Sequence, residues 1–237
     1  MKAVLFDLDG TLLPMDTDAF VKEYLAGLAP KLQHLLAPDA FIKALWKATG
    51  DVVQSTDQRT NQEVFTESFL SLTKLPQEEI VPILDQFYQN DFYHFGYMAD
   101  PTPLAAILVE GAARHGYRTA LATNPVFPEA AVHHRISWAG LTPSDFDIIS
   151  TYENSTAAKP NPAYYREIAD KLNVSPEECV MIGNDAREDG AAQSTGMKTI
   201  LISTWAVKND DSFTPDMEGS LEEVIEALHH RRGVFSV

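Results

Sequence analysis

Two kinds of hydrophobic pattern divide the chain. From about residue 100 onward, short apolar runs alternate with longer stretches of helical periodicity. The runs are Arg118 to Ala122, Phe146 to Ile149, Val180 to Ile182 and Thr199 to Ile202. The helical stretches lie near 103–115, 125–139, 161–173, 186–196 and 219–231. Bounded apolar runs of this length read as buried strands, and their alternation with amphipathic helices predicts right-handed βαβ crossovers. Val4-Leu5-Phe6 supplies one further buried strand at the start. The predicted core is α/β: a doubly wound, mostly parallel sheet with helices on both faces.

The stretch from 16 to 98 is patterned differently. Ala19-Phe20-Val21 with Tyr24, Leu25 and Leu28, then Phe41-Ile42 with Leu45-Trp46, have helical spacing. So do Val64-Phe65 with Phe69-Leu70, and Ile80-Val81 with Leu84 and Phe87-Tyr88. No alternating strand interrupts them, which predicts four or five helices. The predicted organisation is therefore a core of 1–14 and 100–237 carrying an all-helical insert of 15–99. Its expected hinges are Leu13-Pro14-Met15 and Asp100-Pro101-Thr102-Pro103. The aromatic cluster of Phe87, Tyr88, Phe92, Tyr93, His94, Phe95 and Tyr97 is expected to pack at the junction of insert and core.

Charge narrows the function classes. With 18 Lys plus Arg against 34 Asp plus Glu, the 237-residue chain carries −16. This excludes a general nucleic-acid binder, whose affinity rests on cations against phosphates. A small anionic substrate stays compatible, because a pocket can be locally positive on an acidic protein. Cys179 is the only cysteine, so no intramolecular disulfide forms, and it reads as a packed thiol. No signal-like segment and no apolar stretch of membrane-spanning length occurs, so no membrane association and a cytoplasmic location are expected.

The strongest chemical signal directly follows the first strand: Asp7-Leu8-Asp9-Gly10-Thr11-Leu12. Open parallel sheets bind ligands beyond the carboxyl ends of their strands, so both aspartates are expected in that crevice. Two carboxylates two residues apart beside a turn glycine can divide labour. One serves as nucleophile or metal ligand, the other as acid and base.

This motif resembles the first motif of the haloacid dehalogenase-like hydrolase superfamily. The resemblance demands three further motifs at later strand ends, and the chain supplies them in order. Thr123 in Leu121-Ala122-Thr123-Asn124-Pro125 matches the second, where a hydroxyl and nearby amides at a helix start hold phosphate. Lys159 in Ala158-Lys159-Pro160-Asn161-Pro162 matches the third. Gly183-Asn184-Asp185-Ala186-Arg187-Glu188-Asp189 stands at the fourth. It departs from the commonest form by having Asn184 directly after the glycine, and Asp185 with Asp189 matches a shorter acidic variant.

The resemblance covers 1–14 and about 100–205. It implies a Rossmann-like core, a helical cap in the position of the insert, and Mg²⁺ as cofactor. In the implied mechanism Asp7 attacks phosphorus and forms an aspartyl-phosphate, while Asp9 protonates the leaving group and later deprotonates water. Mg²⁺ is held by Asp7, the Asp9 carbonyl and Asp185, with Asp189 acting through water or orienting Lys159. Thr123, Asn124 and Lys159 bind the phosphoryl oxygens. Dehalogenases of this superfamily lack an acid at the position of Asp9, since a carbon–halogen bond needs no leaving-group proton.

The expected activity is hydrolysis of a small phosphorylated metabolite. A sugar phosphomutase and a non-catalytic phosphometabolite-binding regulator stand as alternatives; stoichiometric isomerisation would mark the first, and binding without turnover the second. Arg59 and Asn61, in a polar stretch between two helices of the insert, are candidates for reading the leaving group. His133-His134-Arg135 is expected on a helix surface. His229-His230-Arg231-Arg232 is expected to end the last helix without a metal role.

Overall fold

The structure, a computed structural model, describes residues 1–236. Six parallel strands form one sheet: β1 Ala3–Phe6, β2 Arg118–Leu121, β3 Ile148–Ile149, β4 Cys179–Gly183, β5 Lys198–Ile202 and β6 Met217–Gly219. Their order is β3-β2-β1-β4-β5-β6. The chain builds outward from β1 to one edge and then returns to build outward from β4 to the other. The loops after β1 and β4 therefore open the crevice where such a sheet accepts a ligand.

Pleating sends successive side chains of β1 to opposite faces. Ala3 and Leu5 join Cys179, Met181, Tyr164, Tyr165 and Ile168 in one core. Val4 and Phe6 join Val180, Ile182, Leu108 and Val224 in the other. Burial on both faces explains why these strands read as unbroken apolar runs. Cys179 is fully buried, and burial pushes its thiol up to about 12, so it packs as an apolar side chain.

Among the described residues eight α-helices accompany the sheet: α1 Thr17–Leu28, α2 Pro38–Gln54, α3 Asn61–Thr73, α4 Gln77–Gln86, α5 Pro103–Arg114, α6 Glu129–Trp138, α7 Pro162–Leu172 and α8 Leu221–His229. The first four lie between β1 and α5, in the stretch where the sequence predicts an insert. Asp16 caps α1 by accepting from the Ala19 amide, and Thr60 with Glu63 forms a reciprocal capping box on α3. After α4 the chain makes a π turn over Phe87–Asp91 and a 3₁₀ segment over Phe92–Met98. Of the aromatic cluster, Phe87, Tyr88, Phe92 and Phe95 pack inward, whereas Tyr93, His94 and Tyr97 are exposed, against the expectation for the whole group. Phe92 is fully buried, stacks on Trp138 of α6 at 5.5 Å, and meets Phe20 edge-on at 5.8 Å. Both passages between insert and core lie side by side, where the Asp100 amide donates to the Pro14 carbonyl at 2.9 Å.

Three elements differ from expectation. The helix expected near 186–196 is a series of turns followed by a 3₁₀ segment, Gly190–Thr195. Side chains capture its backbone: the Arg187 and Glu188 amides donate to Asp185 Oδ1, and the Asp185 amide donates to Asp189 Oδ2. Such local bonds compete with helix. The helix expected from 125 starts only at Glu129, after Pro125 and Pro128. Strand β6, Met217-Glu218-Gly219, has no apolar run to announce it.

Candidate active site

Asp7 follows β1, its amide donating to the Ile182 carbonyl of β4 at 2.8 Å. The chain then turns tightly, with the Gly10 amide donating to Leu13 and the Leu13 amide to Leu8, each at 2.8 Å. Gly10 has φ +81°, and the Asn184 side chain stands where a Cβ would project, so both conformation and space require glycine. Thr11 Oγ1 lies 3.1 Å from Asp7 Oδ2 and 3.3 Å from Asn184 Oδ1. Asn184 Nδ2 donates to the Trp205 carbonyl at 2.8 Å. The residue standing where the commonest family form has an acid thus ties the β1 turn to the loop after β5.

Lys159 precedes α7 and is 1% exposed. Its Nζ donates to Asp7 Oδ1 at 2.7 Å and to Asp189 Oδ1 at 2.6 Å. Burial alone would favour the neutral amine, but Asp189 and Asp7 outweigh it and hold the ammonium form well above its ordinary range. Burial pushes Asp7 up to about 7, with Lys159 pulling down and Asp189 and Asp9 adding to the rise. The closely packed arrangement is one cation between two carboxylates. Both oxygens of Asp189 are engaged, one by Lys159 and one by the Asp185 amide, which suits it to orienting Lys159. Gly183 makes room for it: the Asp189 side chain occupies the place of its missing Cβ.

Asp185 is half-buried. Its Oδ1 accepts the Arg187 and Glu188 amides at 2.9 and 2.7 Å, and its Oδ2 accepts Asn209 Nδ2 at 3.1 Å. Thr123 is 2% exposed, and its carbonyl accepts from Tyr164 and Ser150. Asn124 Oδ1 accepts the Lys159 amide at 3.3 Å, and its Nδ2 donates to Glu188 Oε2 at 3.2 Å. Because α6 begins at Glu129, Thr123 and Asn124 occupy an irregular loop and not the first turn of a helix. That overturns the expected helix-terminus contribution to phosphate binding. Glu188, which the sequence reading passed over, lines the same cavity, and burial pushes it up to about 7.

Arg135 is the larger correction. Expected on a helix surface, it is 1% exposed, and its Nη1 pairs with Asp9 Oδ2. The guanidinium carbon sits 4.5 Å from the centre of the Phe127 ring. Only the tertiary fold brings Arg135 to Asp9, 126 positions away in sequence.

A cavity of about 600 Å³ unites these groups: Asp7, Asp9, Thr123, Asn124, Arg135, Asp185, Glu188 and Asp189 all line it. Lys159 supports it from beneath through Asp7 and Asp189. Arg59 and Asn61 do not line it, which corrects their proposed role. Arg59 is exposed and pairs with Asp57 and Glu67. Asn61 is fully buried and faces the core, its Nδ2 donating to the Pro125 and Ala157 carbonyls at 3.0 Å each. It latches α3 onto the loops carrying Thr123 and Lys159. Asn61→Ala is expected to lower unfolding free energy by about 2 kcal/mol, because two buried carbonyls lose their donor. A urea midpoint equal to wild type would contradict that latch.

Carboxylates outnumber cations here, and Asp9 Oδ1 is buried without a partner among the described residues. Among the described residues no three His, Cys, Asp or Glu side chains form a ready-made metal cage. This donor set fits Mg²⁺, which takes one or two carboxylates, keeps waters and completes its shell with substrate phosphate. Among the described residues no helix is long and apolar enough to cross a membrane.

The paired aspartates thus stand at the switch point of a parallel α/β sheet, on the wall of its cavity. The chain belongs to the haloacid dehalogenase-like hydrolase family, whose model matches residues 1–196. It is 26% identical to haloacid dehalogenase-like hydrolase domain-containing protein 2 of Homo sapiens, covering 97% of this chain and 95% of that protein. It is 21% identical to pyrophosphatase PpaX of Bacillus cereus, covering 91% and 90%. A HAD phosphatase from Thermococcus onnurineus shares the fold at a TM-score of 0.63 and 24% identity, over 99% of this chain and 100% of that one. The L-2-haloacid dehalogenase of Xanthobacter autotrophicus does so at 0.60 and 16%, over 96% and 98%.

Proposed function

We propose that this hydrolase is a Mg²⁺-dependent phosphatase that cleaves a small phosphorylated metabolite through an aspartyl-phosphate on Asp7. The observation that carries the reading is the contact of Asp7 with Lys159 at 2.7 Å, with Asp9 on the wall of the same cavity. Asp7, the Asp9 carbonyl and Asp185 are the groups that would hold Mg²⁺, which when bound supplies positive charge to the phosphoryl oxygens. Asp7 attacks phosphorus, splitting one difficult displacement into two. Lys159 offsets the charge that gathers as carboxylate and phosphoryl oxygens approach, and Asp189 holds it in place. Thr123 and the Asn124 amide orient the phosphoryl group. Asp9 gives a proton to the departing oxygen and later takes one from water.

Asp9 favours this reading over dehalogenation, because a halide departs without a proton. Both aspartates together favour it over a pure binding protein, which has no use for a proton donor. Phosphate release from an aryl phosphate, a panel of alkyl and sugar phosphates, and inorganic pyrophosphate tests the proposal. Release is expected to stop with EDTA and return with Mg²⁺. Metal-independent release, or isomerisation of a sugar phosphate without free phosphate, would contradict it.

A further inference from the structure

The Asp9–Arg135 pair is an unusual use of a buried cation. Arg135 has one carboxylate partner, a contact from Nε to the Ala131 carbonyl at 3.4 Å, and a buried Nη2 with no partner. Asp9 is engaged through Oδ2 alone, and its Oδ1 is buried and free. An ion pair taken out of water and left half-satisfied is a poor device for stability, since desolvation offsets most of its attraction. It is a good device for orientation. The guanidinium is held over Phe127 at 4.5 Å and bonded back onto its own helix, so its position is fixed by the core and not by solvent. A short aspartate side chain anchored through one oxygen is held in one orientation on the cavity wall.

We propose that Arg135 is the positioning residue for Asp9: it fixes the orientation of the carboxyl group that carries the proton in both half-reactions. The inference rests on the phosphatase reading of this site. In the first half, an Asp7 oxygen bonds to phosphorus while the ester P–O bond breaks. Its electron pair stays on the leaving oxygen, which takes the proton from the Asp9 carboxyl group. The carboxylate left on Asp9 is stabilised by the guanidinium. In the second half, water oxygen bonds to phosphorus and gives its proton to the Asp9 carboxylate, while the P–O bond to Asp7 breaks and its electrons return to the Asp7 carboxylate. The sum is ester plus water giving alcohol plus phosphate.

Leaving-group dependence separates this role from a structural one. An alkyl phosphate needs the proton, whereas 2,4-dinitrophenyl phosphate expels a stable phenolate without it. The quantity to compare is kcat/KM, which covers only the steps through formation of the aspartyl-phosphate. Arg135→Met is expected to lower kcat/KM about 10²-fold on the alkyl ester and less than about tenfold on the dinitrophenyl ester. Arg135→Lys, which keeps a cation in the core, is expected to show the same ordering with smaller losses, and it carries the test if the methionine variant does not fold. In an Asp9→Asn background, Arg135→Met is expected to add little further loss on the alkyl ester. Equal fractional losses on both esters, or full additivity with Asp9→Asn, would overturn the inference. Hydrolysis of neither ester by the wild type would overturn the phosphatase reading and this inference together; equal losses on an active wild type overturn the inference alone.

Discussion

Asp7→Asn is expected to lower phosphate release by about 10⁴-fold or more, the scale of losing a nucleophile from a unit that works as a whole. The loss follows from chemistry and not from unfolding. Asparagine has nearly the same shape: its carbonyl oxygen can accept from Lys159 in the place of Asp7 Oδ1, and its amide can donate to Thr11 Oγ1, which lies 3.1 Å from Asp7 Oδ2. Lys159 also keeps its 2.6 Å contact with Asp189. The substitution removes one negative charge from a site with more carboxylates than cations, and burial already disfavours the ionised form of Asp7. The thermal midpoint is therefore expected to stay near that of the wild type. Melting curves and phosphate release on the same preparation check both halves. A variant that melts early and loses activity in proportion would assign Asp7 a structural role.

Lys159→Met is expected to fail differently, losing stability as well as activity. Lys159 is buried between Asp7 and Asp189, and removing it leaves two buried carboxylates without their cation. Breaking a buried pair from one side costs about 3–5 kcal/mol. At about 2–4 °C per kcal/mol for a chain of this size, the midpoint falls by about 10 °C.

The deficit also depends on pH. Asp7 titrates near 7 in the folded protein against about 3.9 in an unfolded chain. Its neutral form is thus favoured by the fold, and stability declines as pH rises from about 4 to 7. Removing Lys159 takes away the largest opposing pull and raises Asp7 further, so the decline continues to higher pH and the gap between variant and wild type is wider at pH 8 than at pH 5. Denaturation at the two pH values measures this. An equal gap at both would mean that Lys159 does not offset buried negative charge.

The sequence and the structure agree where one residue type had one physical reason to be where it is. Val4-Leu5-Phe6 and Val180-Met181-Ile182 are apolar because both faces of the sheet are covered, so the central strands were legible. Asp7, Asp9, Thr123, Lys159 and Asp185 follow strand ends, and parallel topology brings such ends together. Met217-Glu218-Gly219 was not legible, because an edge strand of three residues needs no apolar run. Arg135 sits beside His133 and His134 in a helix whose pattern reads as surface; its burial depends on Asp9 and Phe127, which only the fold delivers. A polar loop in the insert does not reveal which way it faces, and Asn61 faces the core loops while Arg59 faces solvent. The turn at 185–189 looked helical because periodicity does not register side chains that bond to backbone amides.

The most direct measurement is to quench the enzyme during turnover of an aryl phosphate, reduce it with borohydride and map the product by peptide mass spectrometry. Borohydride converts an acyl phosphate to an alcohol, so a phosphorylated Asp7 becomes homoserine. Homoserine at position 7, dependent on substrate and absent from Asp7→Asn, is the expected result. Homoserine at position 9, 5-hydroxynorvaline at position 188, or an unmodified chain during confirmed turnover, would contradict the account.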